Sequence, residues 1–169
     1  SADLVVIGQH APLGDVYSSI DPGEMILKAG RPMLVVPEGV SVLRADRIVI
    51  GWKDTREARL AVRDALPFFR QATRISIVEI CAPGEEGAAQ EHMNGVVRYL
   101  NRHRIIGGPR VILHRDRSGA ALLIRLAQEE GADLLVTGAY GHSRLGEWIF
   151  GGVTRELLAT SPICCLMSH

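Results

Sequence analysis

The chain has 169 residues, of which 47% are hydrophobic and 22% charged, and its 19 basic side chains balance 19 acidic ones. This composition is typical of a soluble globular domain of ordinary size and excludes a disordered chain. Because the formal net charge is zero, no field favours nucleic acid or an anionic membrane as a partner. The apolar runs are far shorter than the roughly 20 residues that a membrane-spanning helix needs.

Two strands and a short helix are predicted in the first forty residues. The opening segment ADLVVIG (2–8) predicts a buried strand that runs into a glycine turn, and RPMLVVP (31–37) predicts a second strand behind a short helix. The segment EGVSVLRAD (38–46) reads as a linker to the rest of the chain.

From about residue 46 the pattern alternates between strand and helix until the end of the chain. Asp54 and Glu57 are expected to cap the first of these helices, and Ser118 the third. Strands joined by helices imply parallel crossovers and a doubly wound sheet that is buried on both faces. The predicted strands are 47–51, 75–80, 110–114, 133–137 and 163–167, and the predicted helices are 58–69, 89–100, 120–127 and 151–159.

The opening segment recurs near the end of the chain as ADLLVTG (132–138). When residues 2–39 are laid on residues 132–169 without a gap, eight positions are identical, and both segments keep the order strand, glycine loop, helix, proline, strand. A constant register through a loop indicates an internal repeat. We therefore interpret residues 1–40 as the end of a first repeat and residues 41–169 as a complete second one.

The loop that follows the fourth strand of the complete repeat, GAYGHSRLGEWIFGGVT (138–154), is the candidate binding site. In a doubly wound sheet, ligands bind beyond the carboxyl ends of the strands where the winding direction reverses. Gly138 and Gly141 let the backbone approach a ligand, and Gly151 and Gly152 open a helix. Free N–H groups at a helix start attract anions, so the pattern predicts a phosphate site.

This loop has the glycine spacing G-x2-G-x9-G, and the segment AYGHSRLGEWIFGGVTRELL (139–158) is similar throughout to the nucleotide-binding universal stress proteins. The resemblance covers residues 45–169. It implies an α/β fold with a doubly wound, Rossmann-like, five-stranded parallel sheet of strand order 3-2-1-4-5. It also implies a regulatory stress-response protein of the cytoplasm, in a family that has an ATP-binding branch.

Carried over by position, the resemblance implies where a nucleotide would lie. Glycines line the path of the phosphates, and a Mg²⁺ ion is expected only together with a nucleotide. No catalytic residue and no separate metal site is expected. The implied residues are Gly138, Gly141, Gly151, Gly152, Val153 and Thr154 in the loop and helix, Gly51, Trp52 and Lys53 after the first strand of the complete repeat, and Arg144, which can reach a phosphate.

Two of these positions depart from the family pattern. Gly152 stands where the family usually has Ser or Thr, so a hydroxyl is lost while the backbone donors remain. Lys53 stands where ATP-binding members commonly have an acidic residue, and lysine has no acceptor for ribose hydroxyls. We therefore expect a partly degraded site that binds ATP or a related nucleotide weakly.

The first repeat departs further. Gly8 is kept, but Ala11 replaces the second glycine, and Asp21 and Pro22 replace the glycine pair. An aspartate at that helix start repels phosphate, although it suits the helix dipole. We expect this half of the chain to keep the strand–helix–strand shape without the pocket.

Three functions remain open at this point. They are a nucleotide-responsive regulatory module, a ligand-free interaction protein of the same fold, and a slow ATPase. The sequence lacks a P-loop motif and a dinucleotide-binding fingerprint, and its histidines show no metal-ligand spacing. The three cysteines have no disulfide framework spacing, which favours free buried thiols in a reducing cytoplasm.

The family resemblance also predicts how the two repeats meet. Family members commonly pair the fifth strand with its counterpart across a two-fold axis, so MLVV (33–36) is expected antiparallel to CCLM (164–167), with LVVI (4–7) beyond it at the sheet edge. An unpaired apolar edge strand attracts another chain. We therefore expect a homo-oligomer, such as a dimer through edge strands, or else a longer tandem protein of which this chain is a part.

Overall fold

The computed structural model describes residues 2–9, 22–114, 119–140 and 150–169. These residues form one seven-stranded sheet with helices on both faces. The strands are β1 (Val5–Gly8), β2 (Met33–Val36), β3 (Arg47–Gly51), β4 (Arg74–Cys81), β5 (Gly108–Leu113), β6 (Leu134–Gly138) and β7 (Cys164–Ser168). The helices are α1 (Pro22–Ala29), α2 (Arg56–Asp64), α3 (Leu66–Phe69), α4 (Glu86–Arg102), α5 (Gly119–Glu129) and α6 (Phe150–Thr160).

The strand order across the sheet is β1-β2-β7-β6-β3-β4-β5. Strands β3 to β7 are parallel to one another, and counted from β3 their order is 3-2-1-4-5. The predicted α/β class and the predicted strand order of the complete repeat are therefore confirmed. The winding direction reverses between β3 and β6, whose carboxyl ends lie side by side because Gly51 pairs with Thr137.

The two N-terminal strands extend this sheet rather than forming one of their own. Strand β2 runs antiparallel to β7, with Met33 opposite Met167 and Val35 opposite Cys165. Strand β1 pairs parallel to β2 and lies at the end of the sheet. The predicted antiparallel pairing and the predicted edge position are both confirmed, and they raise the number of strands from five to seven. The interpretation of residues 1–40 as part of a first repeat stays a prediction.

Two apolar layers hold the sheet between the helices. Along β3, Ile48 and Ile50 pack under α2 and α4, while Val49 between them packs on the opposite face near α5 and α6. This alternation is the two-residue period of a strand that is covered on both sides. Each fully buried aliphatic side chain of this kind stabilises the fold by roughly 1.5–3 kcal/mol relative to exposure.

The start of α2 differs from the prediction. Thr55, in extended conformation, is the N-cap, and its hydroxyl accepts a hydrogen bond from Ala58 N at 3.3 Å. Asp54 lies one residue outside the helix and instead binds Arg59, with 2.7 Å between Oδ1 and Nη2. The predicted Asp54–Glu57 cap is therefore wrong, because the chain enters the helix one residue later.

The end of the predicted helix 58–69 also differs. Helix α2 ends at Asp64 and the short helix α3 follows. Pro67 lies in the first turn of α3, where its missing N–H costs least, and it cannot continue α2. Ser118, predicted to cap α5, lies outside the described residues. None of the described helices has the length and apolarity needed to cross a membrane.

Cys81, Cys164 and Cys165 are buried and form no disulfide. Burial raises the pKa of the Cys165 thiol to about 12, so this side chain stays a neutral thiol at physiological pH. The three cysteines therefore act as small apolar core residues, as the sequence predicted.

Candidate functional site

Gly138 ends β6 at the point where the winding direction reverses. A Cβ at this position would lie 2.5 Å from Ala58 N and 2.7 Å from the carbonyl carbon of Glu57. Both atoms belong to the α2 backbone and cannot move aside cheaply. Only glycine therefore allows the first turn of α2 to rest on the carboxyl end of β6.

Gly51 has a comparable packing role on the other face of the sheet. A Cβ here would lie 2.7 Å from Leu123 Cδ2, a side chain of α5, and 3.5 Å from Thr137 Oγ1. The glycine lets α5 approach the end of β3 closely. Gly51 and Gly138 together determine how the two helices α5 and α2 close over the carboxyl edge of the sheet.

Helix α6 (Phe150–Thr160) begins at this edge with two glycines in its first turn. Gly151 and Gly152 lie in that turn, and no described atom comes within 4 Å of the position that a Cβ on Gly152 would occupy. The first N–H groups of a helix have no partner within it, and the helix dipole makes their surroundings positive. The predicted helix at residues 151–159 is confirmed, beginning one residue earlier and ending one later.

Thr154 and Val153 hold the start of α6 in place. The hydroxyl of Thr154, which is 2% exposed, accepts a hydrogen bond from Tyr140 N at 3.2 Å. Tyr140 has a φ of +51°, in the left-handed region, so this bond stabilises an unusual backbone conformation. Val153 is half-buried, and its Cγ2 lies 3.4 Å from where a Cβ on Gly119 would stand. Thr154 thus connects the end of β6 to α6, and Val153 packs α6 against the start of α5.

Lys53 lies beside a buried carboxylate that the sequence analysis did not identify. Its Nζ is 3.6 Å from Oε1 of Glu79, a fully buried residue of β4. The same oxygen is 3.0 Å from Nδ1 of His92 on α4. Lys53 is thus the cation of an ion pair, and its charge is partly neutralised before any phosphate approaches.

The remaining oxygen of Glu79, Oε2, is buried and has no hydrogen-bond partner in the described part of the chain. Burial raises the pKa of Glu79 above its usual range, and this effect exceeds the opposing effects of His92 and Lys53. His92 and Lys53 are therefore the side chains that favour the charged form of this carboxyl group against the cost of burial. A signal existed in the sequence, since glutamate interrupts the apolar strand ISIVEI, and buried charges are usually paired.

Trp52 lies away from the start of α6. The residue is 6% exposed and belongs to the apolar layer beneath α2 and α4. Its backbone N–H donates to Val78 O at 2.8 Å, which continues the β3–β4 pairing by one residue. Its ring is therefore a core element of the face that α6 does not cover.

The structure brings some of the predicted site residues together and leaves others undescribed. Gly51 and Gly138 lie on the adjoining strands β3 and β6, and α6 carries Gly151, Gly152, Val153 and Thr154 in its first turns. Gly141 and Arg144 lie outside the described residues. Among the described residues, no cluster of His, Cys, Asp and Glu could hold a metal ion.

The sheet order and the glycine-rich helix start agree with the outcome of a family comparison. The sequence profile of the Universal stress protein family matches residues 44–169. The chain belongs to the universal stress protein family. No curated protein sequence matches the chain significantly.

Solved structures share the fold of this universal stress protein at low sequence identity. The hypothetical protein MJ0577 is 16% identical with a TM-score of 0.60, over 73% of this chain and 94% of its own. A universal stress protein from Archaeoglobus fulgidus DSM 4304 is 13% identical with a TM-score of 0.65, over 97% of this chain and 59% of its own. A universal stress protein in complex with cAMP is 21% identical with a TM-score of 0.52, over 73% of this chain and 97% of its own.

Proposed function

We propose that this universal stress protein is a regulatory module that binds a nucleotide weakly, with the phosphates at the first turn of α6. The observation that carries the proposal is the glycine pair Gly151–Gly152 in the first turn of α6, held at the carboxyl edge of β6 by the bond between Tyr140 N and Thr154 Oγ1. Backbone N–H groups at such a position bind phosphate without help from side chains. A structure of the same fold in complex with cAMP supports a nucleotide as the ligand class.

The nucleoside part of the ligand should contribute little to affinity. Lys53 replaces the acidic residue that would accept hydrogen bonds from ribose, and its Nζ pairs with Glu79. Glu79 is fully buried, so it cannot take over as acceptor without rearrangement. Affinity should therefore come mainly from the phosphates, and discrimination between ATP, GTP and tripolyphosphate should be poor.

Binding is proposed without turnover of consequence. Glu79 is buried and shared by Lys53 and His92, which leaves it unsuited to activate a water molecule. Mg²⁺ would be bound only through the phosphates of a nucleotide. The module would thus respond to nucleotide by a change of shape or of partner rather than by consuming it.

Titration calorimetry with ATP, GTP and tripolyphosphate tests the proposal. We expect dissociation constants in the range from about 10 μM to 1 mM, differing by less than about tenfold among the three ligands. Binding of ATP and GTP more than about tenfold tighter than binding of tripolyphosphate would show that the Lys53–Glu79 pair does not exclude ribose recognition. Absence of heat for all three ligands would contradict a phosphate site at α6.

A second candidate function, self-association, is favoured by the edge strand β1. No described strand pairs with its outer edge, and Val6 on this strand is 59% exposed. The edge of β7 is already occupied by β2, so a further strand can be added beyond β1. We propose that β1 pairs with a strand of a second copy of this chain or of a tandem partner.

A further inference from the structure

A second cleft lies on the opposite side of the sheet from α6, between α2 and α4. Its volume is about 960 Å³, which is within the range of small-molecule sites. Trp52, Val62 and Val96 are buried residues of its lining and give it an apolar floor. The remaining residues that line it are Asp54, Arg56, Arg59, Leu60, Arg63, Glu91, His92, Asn94, Gly95, Arg98 and Tyr99.

The walls of this α2–α4 cleft carry more positive than negative charge. Four arginines line it against two carboxylates, those of Asp54 and Glu91. Arg59 pairs with Asp54, and Arg63 pairs with Asp64 of the same helix. Arg56 and Arg98 are exposed and have no ion pair or hydrogen bond within the described part of the chain. Two guanidinium groups therefore remain available to an anion, one on each wall.

Gly95 keeps the cleft open. It lies inside the 17-residue helix α4, where glycine lowers helix stability by roughly 1 kcal/mol relative to alanine. Neither a positive φ nor close packing requires it, because a Cβ at this position would have no atom within 4 Å. Its visible consequence is free space in the cleft wall next to Val96.

We infer that the α2–α4 cleft binds a small organic anion with a flat apolar part. The apolar part would lie on the floor around Trp52, and the anionic group would take bidentate hydrogen bonds from Arg56 and Arg98. This site is separate from the proposed phosphate site, because α2 and α4 cover one face of the sheet and α6 covers the other. Charge complementarity and the size of the cleft favour a small molecule over a macromolecular strand or helix.

The probe for this inference is 8-anilinonaphthalene-1-sulfonate, a flat aromatic anion whose fluorescence rises in apolar sites. We expect saturable binding with one site per chain. The double variant Arg56→Gln/Arg98→Gln should weaken it at least about tenfold, because both guanidinium contacts are lost. Arg74→Gln, at an exposed position in β4 at the opposite end of the sheet, is the matched control and should bind as the unchanged protein does.

A second pair of variants locates the probe without changing any charge. Gly95→Phe should fill the cleft and abolish binding, whereas Gly87→Phe, on the same helix outside the cleft and equally free of neighbours, should leave it unchanged. Equal binding by the arginine double variant and the control would overturn the inference. If octaglutamate binds and the fluorescent anion does not, the cleft serves an acidic protein segment and the small-molecule assignment is wrong.

Discussion

Lys53 and Glu79 face each other across the ends of β3 and β4, with 3.6 Å between Nζ and Oε1, and the carboxylate is fully buried while a third of the lysine side chain is exposed. The family resemblance implies a negative charge at the position of Lys53, whereas in this chain the position is positive. The negative charge lies instead in the neighbouring strand, beneath the surface. In the proposed nucleotide complex, a nucleoside at this edge would meet a donor whose acceptor partner is buried.

The buried carboxylate makes stability depend on pH. The pKa of Glu79 is raised in the folded protein above 4.5, so folding favours its protonated form. Its contribution to stability is fully present below pH about 4.5 and is lost as the pH rises through the folded pKa. Glu79→Gln has no carboxyl group to ionise, so this loss should be absent from the variant. Between pH 4.5 and 7 its free energy of unfolding should therefore rise relative to that of the unchanged protein, by about 1.4 kcal/mol per unit of pKa shift.

Urea denaturation of both proteins across this pH range measures the difference. Glu85→Gln, at an exposed position just before α4, is a control for the loss of a carboxylate alone. If the free energies of unfolding of Glu79→Gln and of the unchanged protein differ by a constant amount from pH 4.5 to 7, Lys53 and His92 compensate the cost of burying Glu79 completely.

Gly138→Ala should destabilise the fold severely. Its new methyl group would lie 2.5 Å from Ala58 N, so the first turn of α2 must move away from β6. Overpacking of this kind costs about 1–3 kcal/mol and more where backbone must shift. Gly152→Ala, with no described atom near its Cβ, should change stability by less than about 1 kcal/mol. The midpoints of urea denaturation at pH 7 test this pair, and equal midpoints would contradict the close contact.

Gly152→Ser should strengthen phosphate binding. No described atom lies within 4 Å of a Cβ at this position, and a serine there would place a hydroxyl where the family resemblance implies one. A hydrogen bond to a charged group contributes about 1.5–3 kcal/mol, so affinity for tripolyphosphate should rise by a factor of about 10 to 150. Gly152→Ala separates the hydroxyl from the added Cβ and should bind as the unchanged protein does. Titration calorimetry gives both affinities, and a serine variant no tighter than the alanine variant would contradict the placement of phosphate at α6.

Thr154→Val should loosen the loop after β6. The substitution nearly keeps the volume but leaves Tyr140 N without its acceptor, which costs about 1–3 kcal/mol when the site is buried. Affinity for tripolyphosphate should fall together with stability, because Thr154 positions the start of α6. Thr160→Val on the same helix removes an exposed hydroxyl that donates to Glu156 O at 2.8 Å, and it should have little effect on either quantity. Similar losses in both variants would show that the bond between Tyr140 N and Thr154 Oγ1 does not stabilise the start of α6.

Val6→Lys should reduce self-association. A lysine on an edge strand disfavours the addition of a further strand. Light scattering against concentration should show larger species for the unchanged protein than for this variant. Val42→Lys, which is 72% exposed and lies outside the strands, is the control for added charge alone. A monomer at all concentrations whose β1 amides are protected from hydrogen exchange would contradict pairing through this edge.

The sequence by itself determined the order of strands and helices, the parallel sheet and the position of the glycine-rich helix start. These features follow from local periodicity and from turn residues, which act over a few neighbouring positions. The internal repeat, together with the family resemblance, also predicted the antiparallel pairing of β2 with β7, although these strands are more than a hundred residues apart.

Only the tertiary structure decided what each candidate residue contacts. Lys53 and Glu79 lie on different strands, and their ion pair depends on the register of β3 against β4 and on the position of His92 on α4. Gly138 was predicted to admit a ligand, yet the contact that requires glycine there is with the backbone of α2. Contacts of this kind join residues far apart in the chain, so local sequence patterns do not predict them. The α2–α4 cleft could not be predicted for the same reason, because it forms only where two helices pack on one sheet and leave space between them.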